Sequence, residues 1–146
     1  MEAVIFSGLQ ATGKTTFYKE RFLNTHIRIS LDMLRTRHRE ALFLRACFAA
    51  RQPFVVDNTN ITREQRQVYI ELAKKAGFKV VGYYFQSEIK DILRRNQQRT
   101  GKSVVPKGGI FGMKKRFQAP TKDEGYDDLF TVTIQPDNQF LIEKLA

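Results

Sequence analysis

Gly8-Leu9-Gln10-Ala11-Thr12-Gly13-Lys14-Thr15 is the stretch on which the fold turns. It fits G-x-x-x-x-G-K-[ST], the pattern of a loop that wraps phosphate. Its flanks have the form the pattern requires. Glu2 to Ser7, with Ala3-Val4-Ile5-Phe6 at its centre, reads as a short buried strand. From Lys14 to Leu23 the residues read as a helix. A loop between a strand end and a helix start aims backbone N–H groups at one point, where anionic oxygens are held. Lys14 supplies a mobile positive charge for outer phosphates, and the Thr15 hydroxyl is a ligand for Mg²⁺.

The rest of the chain continues the alternation. His26 to Ser30 is predicted as a second strand and Asp32 to Ala50 as one helix with an apolar stripe. Phe54-Val55-Val56 reads as a third strand, buried on both faces. A helix from Glu64 to Ala76, capped by Thr62, ends at Gly77. Lys79 to Phe85 is a fourth strand, and Ser87 caps a helix from Glu88 to about Arg99. Residues 100–112, with four glycines and Pro106, read as a mobile loop, and Met113 to Phe117 as helical. Phe130 to Ile134 is β-rich, and Leu141 to Leu145 is a weak terminal piece. Strands alternating with helices imply an α/β fold: a mainly parallel sheet of about five strands covered on both faces, with its functional loops at the carboxyl ends of the strands.

Composition sets the outer limits. At 146 residues, 42% hydrophobic and 27% charged, one domain spanning 1–146 is expected. The single cysteine, Cys47, excludes an internal disulfide or a thiolate metal cluster, and its apolar setting makes it a core thiol. No apolar run approaches a membrane span, no secretory leader is recognisable, and the cytoplasm is the expected compartment. Twenty-five Lys and Arg against fifteen Asp and Glu leave a net charge of +10. Residues 90–116 hold nine of those basic groups against one acid, whereas residues 117–146 are net acidic. That concentration makes 90–116 the expected anion-binding segment.

Further candidates sit at strand ends. Asp57 closes Phe54-Val55-Val56, the place of a carboxylate that holds Mg²⁺ or its water, though a turn aspartate has the same signature. Asn58-Thr59-Asn60 is equally consistent with turn chemistry. Asp32 follows the second strand and can accept a proton from a substrate hydroxyl, or simply cap the next helix. Arg35 lies one helical turn beyond it. Arg95 and Arg99 share a helix face and can close over a nucleotide, while Arg94 and Lys102 read as solvent charges.

The order of these pieces resembles the 5′-kinase domain of polynucleotide kinases, over almost the whole chain. The phosphate loop is common to many nucleotide-binding proteins. More specific are Asp32-Met33-Leu34-Arg35, Asp57-Asn58-Thr59-Asn60, Arg95-Asn96-Gln97-Gln98-Arg99 followed by Val105-Pro106, and Phe117-Gln118-Ala119-Pro120-Thr121 with Glu124-Gly125-Tyr126. The resemblance implies a P-loop NTPase three-layer sandwich with a helical lid at about 90–116. It also implies transfer of the γ-phosphate of ATP, with Mg²⁺, to a hydroxyl. By it, Gly8, Leu9, Gln10, Ala11, Thr12, Gly13, Lys14, Thr15 and Thr16 bind ATP with Arg95 and Arg99. Lys14, Asp32 as general base and Arg99 are catalytic; Asp32, Arg35 and Asp57 meet the acceptor side; Thr15 and Asp57 serve the metal, partly through water.

The implied acceptor is the 5′-hydroxyl end of DNA or RNA. The phosphate loop departs from many relatives at Gln10, Ala11 and Thr12, and the chain leaves no room for the phosphatase or ligase often joined to such kinases. Two alternatives stand: a kinase for a small-molecule acceptor such as a nucleoside or sugar, and an ATP-binding switch without kinase activity.

Overall fold

The computed structural model describes residues 1–99, 101 and 104–145. Six strands form one sheet in the order β2-β3-β1-β4-β5-β6. β1 (Glu2–Ser7) lies between β3 (Phe54–Val56) and β4 (Lys79–Gln86), with β2 (Ile27–Ile29) outside β3 and β5 (Asp128–Ile134) outside β4. All these pairings are parallel; β6 (Phe140–Lys144) folds back antiparallel on β5. Here the sheet exceeds the expected five strands. Gln135 and Gln139 close a hairpin in which Asn138 takes a positive φ of 65°, so the weak terminal piece becomes an edge strand.

Alternation along β1 splits the core. Ala3 and Ile5 face α3 (Arg37–Ala50) and α4 (Arg63–Lys75), packing with Leu44, Cys47, Tyr69, Ile70 and Ala73. Cys47 is a buried free thiol, as its apolar neighbours imply. Val4 and Phe6 face α1 (Lys14–Arg21), where Phe6, Phe17, Phe22 and Phe85 pack edge to face or tilted. Helices on both faces of a parallel sheet give the three-layer α/β sandwich.

Two elements differ from their sequence expectation for identifiable reasons. The helix expected from Asp32 to Ala50 is broken into α2 (Leu31–Leu34) and α3. Arg35 takes φ 75°, and the Thr36 hydroxyl caps α3 by accepting from the Arg39 N–H at 3.1 Å. Arg35 is therefore not one turn along a continuous helix from Asp32. The loop expected over 100–112 contains helix α6 (Lys107–Arg116), which includes Gly108, Gly109 and Gly112. Each glycine costs a helix about 1 kcal/mol relative to alanine. Packing overrides that cost: fully buried Ile110 meets Ile92 of α5 (Ile89–Gln97) and Ala11 of the phosphate loop. Asn96 ties the two lid helices together, donating to Val105 O at 2.6 Å and accepting from the Val105 N–H at 2.9 Å. The part of the expected loop at 100, 102 and 103 lies outside the described residues. Ser87 does not cap α5; Glu88 holds that position, and the Ser87 hydroxyl accepts from Arg95 instead. Among the described residues no helix is long and apolar enough to cross a membrane.

Candidate active site

β1 ends at the centre of the sheet, and the chain then turns through the phosphate loop into α1. The turn needs glycine at two places. A Cβ on Gly8 would lie 2.8 Å from Phe85 Cβ. Gly13 has φ 91°, and a Cβ there would press to 3.0 Å from Phe140 and 3.1 Å from Ile134. The loop is braced from within by the Thr12 hydroxyl, which donates to Leu9 O at 2.8 Å. The Gly8 N–H donates to Thr59 O at 2.9 Å, joining the loop to the segment after β3.

A cleft of about 270 Å³ opens above this turn, lined by Gln10, Ala11, Gly13, Lys14, Thr15, Thr16, Leu31, Asp32, Asp57, Asn58, Thr59 and Arg99. Residues from four separate parts of the chain thus share one space. Asp32, Asp57 and Arg99 meet Lys14 and Thr15 there, as the spacing and the resemblance imply. Gly8 forms the base of the loop, while Leu9, Thr12 and Arg95 line an adjacent cavity of about 600 Å³ with Tyr84, Ser87, Lys114, Phe117 and Ile134. Arg95 also donates to Ala11 O at 3.3 Å, so α5 is latched to the loop. Arg35 is exposed and does not line the cleft.

Lys14 is buried, and its ammonium donates to Gly8 O at 3.1 Å and Leu9 O at 2.7 Å. Burial pulls its pKa down to about 8; Arg99 acts in the same direction, and Asp57 and Asp32 oppose it. Such a lysine sits poised to gain from any anion brought to the loop. The Thr15 hydroxyl donates to Asp57 Oδ2 at 2.9 Å. A hydroxyl and a buried carboxylate in contact are hard oxygen donors, the set that suits Mg²⁺ when phosphate and water complete the shell. No cluster of three His, Cys, Asp or Glu occurs among the described residues.

Sequence reasoning missed two groups here. Arg28, the middle residue of β2, donates from Nε to Asp57 Oδ2 at 2.8 Å and from Nη2 to Thr15 Oγ1 at 3.4 Å. Its only sequence signal is a charged residue between Ile27 and Ile29. The second group is a network behind Asp32. Leu31 N–H donates to Asn58 Oδ1 at 2.9 Å; Asn58 Nδ2 donates to Glu40 and to the Tyr69 hydroxyl, both at 3.3 Å. Tyr69 donates to Glu40 at 2.9 Å and receives a bond from Arg37 at 2.8 Å. Burial, with Glu40 beside it, pushes the Tyr69 hydroxyl up to about 12. This network fixes the start of α2, and with it the backbone that carries Asp32.

Arg28 leads to a direct expectation. Its guanidinium offsets the charge of Asp57, so Mg²⁺ alone should bind weakly. Arg28→Gln should raise Mg²⁺ affinity roughly tenfold in the absence of nucleotide. The readout is the rise in melting temperature as Mg²⁺ is added; equal rises for both proteins would contradict it.

A phosphate loop at a central strand end, a carboxylate at the neighbouring strand end and an arginine-bearing helical segment over both define a P-loop protein of the kinase-like class. The chain belongs to the AAA domain family, which matches residues 4–120. The bifunctional polynucleotide phosphatase/kinase of Schizosaccharomyces pombe is 25% identical over 133 residues, which cover 88% of this chain and 32% of that protein. The chain therefore spans about a third of that relative's length. Chaetomium thermophilum Kti12, solved in complex with ADP-AlF3, has a TM-score of 0.64 at 16% identity, over 93% of this chain and 92% of that one. A gluconokinase from Sinorhizobium meliloti 1021 has a TM-score of 0.62 at 17% identity, over 92% and 84% of the two chains. At these identities the two structures establish the fold. Neighbours with such different names leave the phosphate acceptor open.

Proposed function

We propose that this protein transfers the γ-phosphate of Mg-ATP to the 5′-hydroxyl end of a polynucleotide. The observation that carries the kinase reading is the shared cleft of Lys14, Thr15, Asp32, Asp57 and Arg99. An ATPase or switch needs the phosphate loop; a second, exposed carboxylate facing it from β2–α2 is what an acceptor hydroxyl needs. The likeness to the S. pombe phosphatase/kinase, together with the Asp32-to-Arg35 and Phe117-to-Tyr126 motifs, supports a nucleic-acid acceptor over a sugar or nucleoside.

In this reading the loop from Gly8 to Thr16 holds the ATP phosphates, and the base of ATP lies toward the cavity beside Leu9 and Arg95. Asp32 accepts the proton of the acceptor hydroxyl as its oxygen bonds to the γ-phosphorus. The bond from that phosphorus to the β,γ-bridging oxygen breaks, leaving ADP. Lys14 leaves its loop carbonyls for the phosphates and stabilises charge on the departing oxygens, and Arg99 does so from the lid. Thr15 and Asp57 would hold Mg²⁺, which when bound neutralises the β- and γ-phosphate oxygens. Arg35 contacts the phosphate next to the acceptor nucleotide, which requires it to turn toward the cleft mouth.

Transfer from labelled Mg-ATP to 5′-hydroxyl DNA and RNA oligonucleotides is the test, run beside nucleosides and sugars. Label on a sugar or nucleoside and none on an oligonucleotide would make this a small-molecule kinase. Lys14 adds a pH signature. Phosphate favours its charged form, so the complex raises its pKa above about 8. ATP affinity should then hold steady below about pH 8 and fall as pH rises through it, by up to about tenfold per pH unit. Titration calorimetry from about pH 7 to pH 10 measures this; a flat affinity contradicts the role given to Lys14.

A further inference from the structure

The exposed face of α3 joins basic and apolar side chains. Its core side carries Glu40, Leu44 and Cys47. On the opposite side, His38, Leu42, Arg45 and Ala49 form one exposed row, and Arg39, Phe43, Ala46 and Ala50 form the row beside it. Phe43 is 48% exposed, Leu42 46% and nearby Met33 55%. The only acid between Met33 and Arg51 is Glu40, which is buried and bonded to Tyr69, Arg37 and Asn58. The face is thus basic and apolar, with no exposed carboxylate.

A helix surface that serves only hydration mixes signs, as α4 does with Arg63, Glu64, Glu71, Lys74 and Lys75. Three basic side chains of the lid have partners: Lys90 lies beside Glu88, Arg94 beside Asp91, and Arg95 donates to Ala11 O and Ser87. By contrast, the side chains of Arg35, Arg39 and Arg45 make no hydrogen bond or ion pair among the described residues. All the basic residues from Arg35 to Arg51, apart from His38, are arginine, the side chain best shaped for phosphate and for stacking on bases. α3 starts two residues beyond α2, whose Leu31 and Asp32 line the cleft. Its 14 residues run about 21 Å, long enough to lie beside several consecutive phosphates.

We infer that this face is the track for a single-stranded polynucleotide whose 5′ end enters the cleft at Asp32. Arg39 and Arg45 contact phosphates and Phe43 stacks a base; a pairing of phosphate-binding arginines with an exposed aromatic is the chemistry of single-strand recognition. This rests on the polynucleotide reading above and sharpens it: the acceptor strand is gripped by α3.

The experiment compares two acceptors, a 5′-hydroxyl single strand of about ten nucleotides and a nucleoside 3′-monophosphate too short to reach α3. Arg39→Glu with Arg45→Glu, and separately Phe43→Ala, should raise KM for the oligonucleotide about tenfold or more, with kcat unchanged. Kinetics on the nucleoside 3′-monophosphate should stay within about twofold of wild type. The salt slope of oligonucleotide binding should fall by about 1.4 for two lost phosphate contacts. Unchanged oligonucleotide KM, or equal loss on both acceptors, overturns the track. So does sedimentation with anionic phospholipid vesicles that depends on Arg39 and Arg45 while oligonucleotide kinetics do not. If the wild-type protein labels no oligonucleotide, the polynucleotide reading itself fails; if it does and the variants match it, only the track fails.

Discussion

Asp32→Asn should slow phosphoryl transfer by about 10²- to 10⁴-fold while ATP affinity stays within about twofold of wild type. The asymmetry follows from where Asp32 sits. It lines the cleft from α2, and among the described residues it makes no hydrogen bond with Lys14 or Thr15, which donate to Gly8 O, Leu9 O and Asp57. Asparagine keeps the shape and loses the ability to take a proton. Transfer is measured in a single turnover with labelled ATP, and affinity by calorimetry. A variant that retains wild-type transfer would remove Asp32 from the chemistry. Equal loss of binding and transfer would make it a structural residue.

The second large effect concerns stability. Arg66 of α4 and Glu124 are both buried, joined from Nε to Oε1 at 2.7 Å and from Nη2 to Oε2 at 3.1 Å. Arg66 also donates to Asn60 O at 2.9 Å, and Glu124 accepts from the Thr121 N–H at 2.7 Å. Removing one partner leaves a buried charge without its counter-ion. Arg66→Ala or Glu124→Ala should therefore lose about 3–5 kcal/mol in denaturant unfolding. Replacing both together, Arg66→Met with Glu124→Leu, should lose much less, because no unpaired charge remains. A single variant within about 1 kcal/mol of wild type would contradict this account. The pair also reaches function: Asn60 donates to Phe6 O at 2.8 Å, so the loop carrying Asp57 is anchored between β1 and this ion pair.

What the sequence made legible was local. The phosphate loop, β3 with Asp57 at its end, and the Thr62 cap of α4 each lie within a dozen residues, and each occurs where the pattern puts it. What it hid depends on neighbours far along the chain. Arg28 reaches Asp57 because β2 and β3 pair in parallel, Arg28 beside Val55. The break after Leu34 rests on the positive φ of Arg35 and the Thr36 cap, while Asn58 holds the start of α2 at Leu31, a tie no periodicity within residues 32–50 can reveal. α6 forms through three glycines because Ile110 finds Ile92 and Ala11. Charge totals also left α3 out of view: its arginines lie outside the segment 90–116 where basic residues are densest.

The contact of Gly13 with Ile134 and Phe140 has a consequence for the order in which the protein is made. Synthesis delivers the phosphate loop with β1, ahead of the elements that surround it. Its flanking strands β3 and β4 follow later, and the hairpin of β5 and β6 that closes over Gly13 emerges far downstream. Domains tend to fold as units once their segments have emerged. A motif contained in eight consecutive residues is thus completed only when a hairpin more than a hundred residues downstream has docked over it.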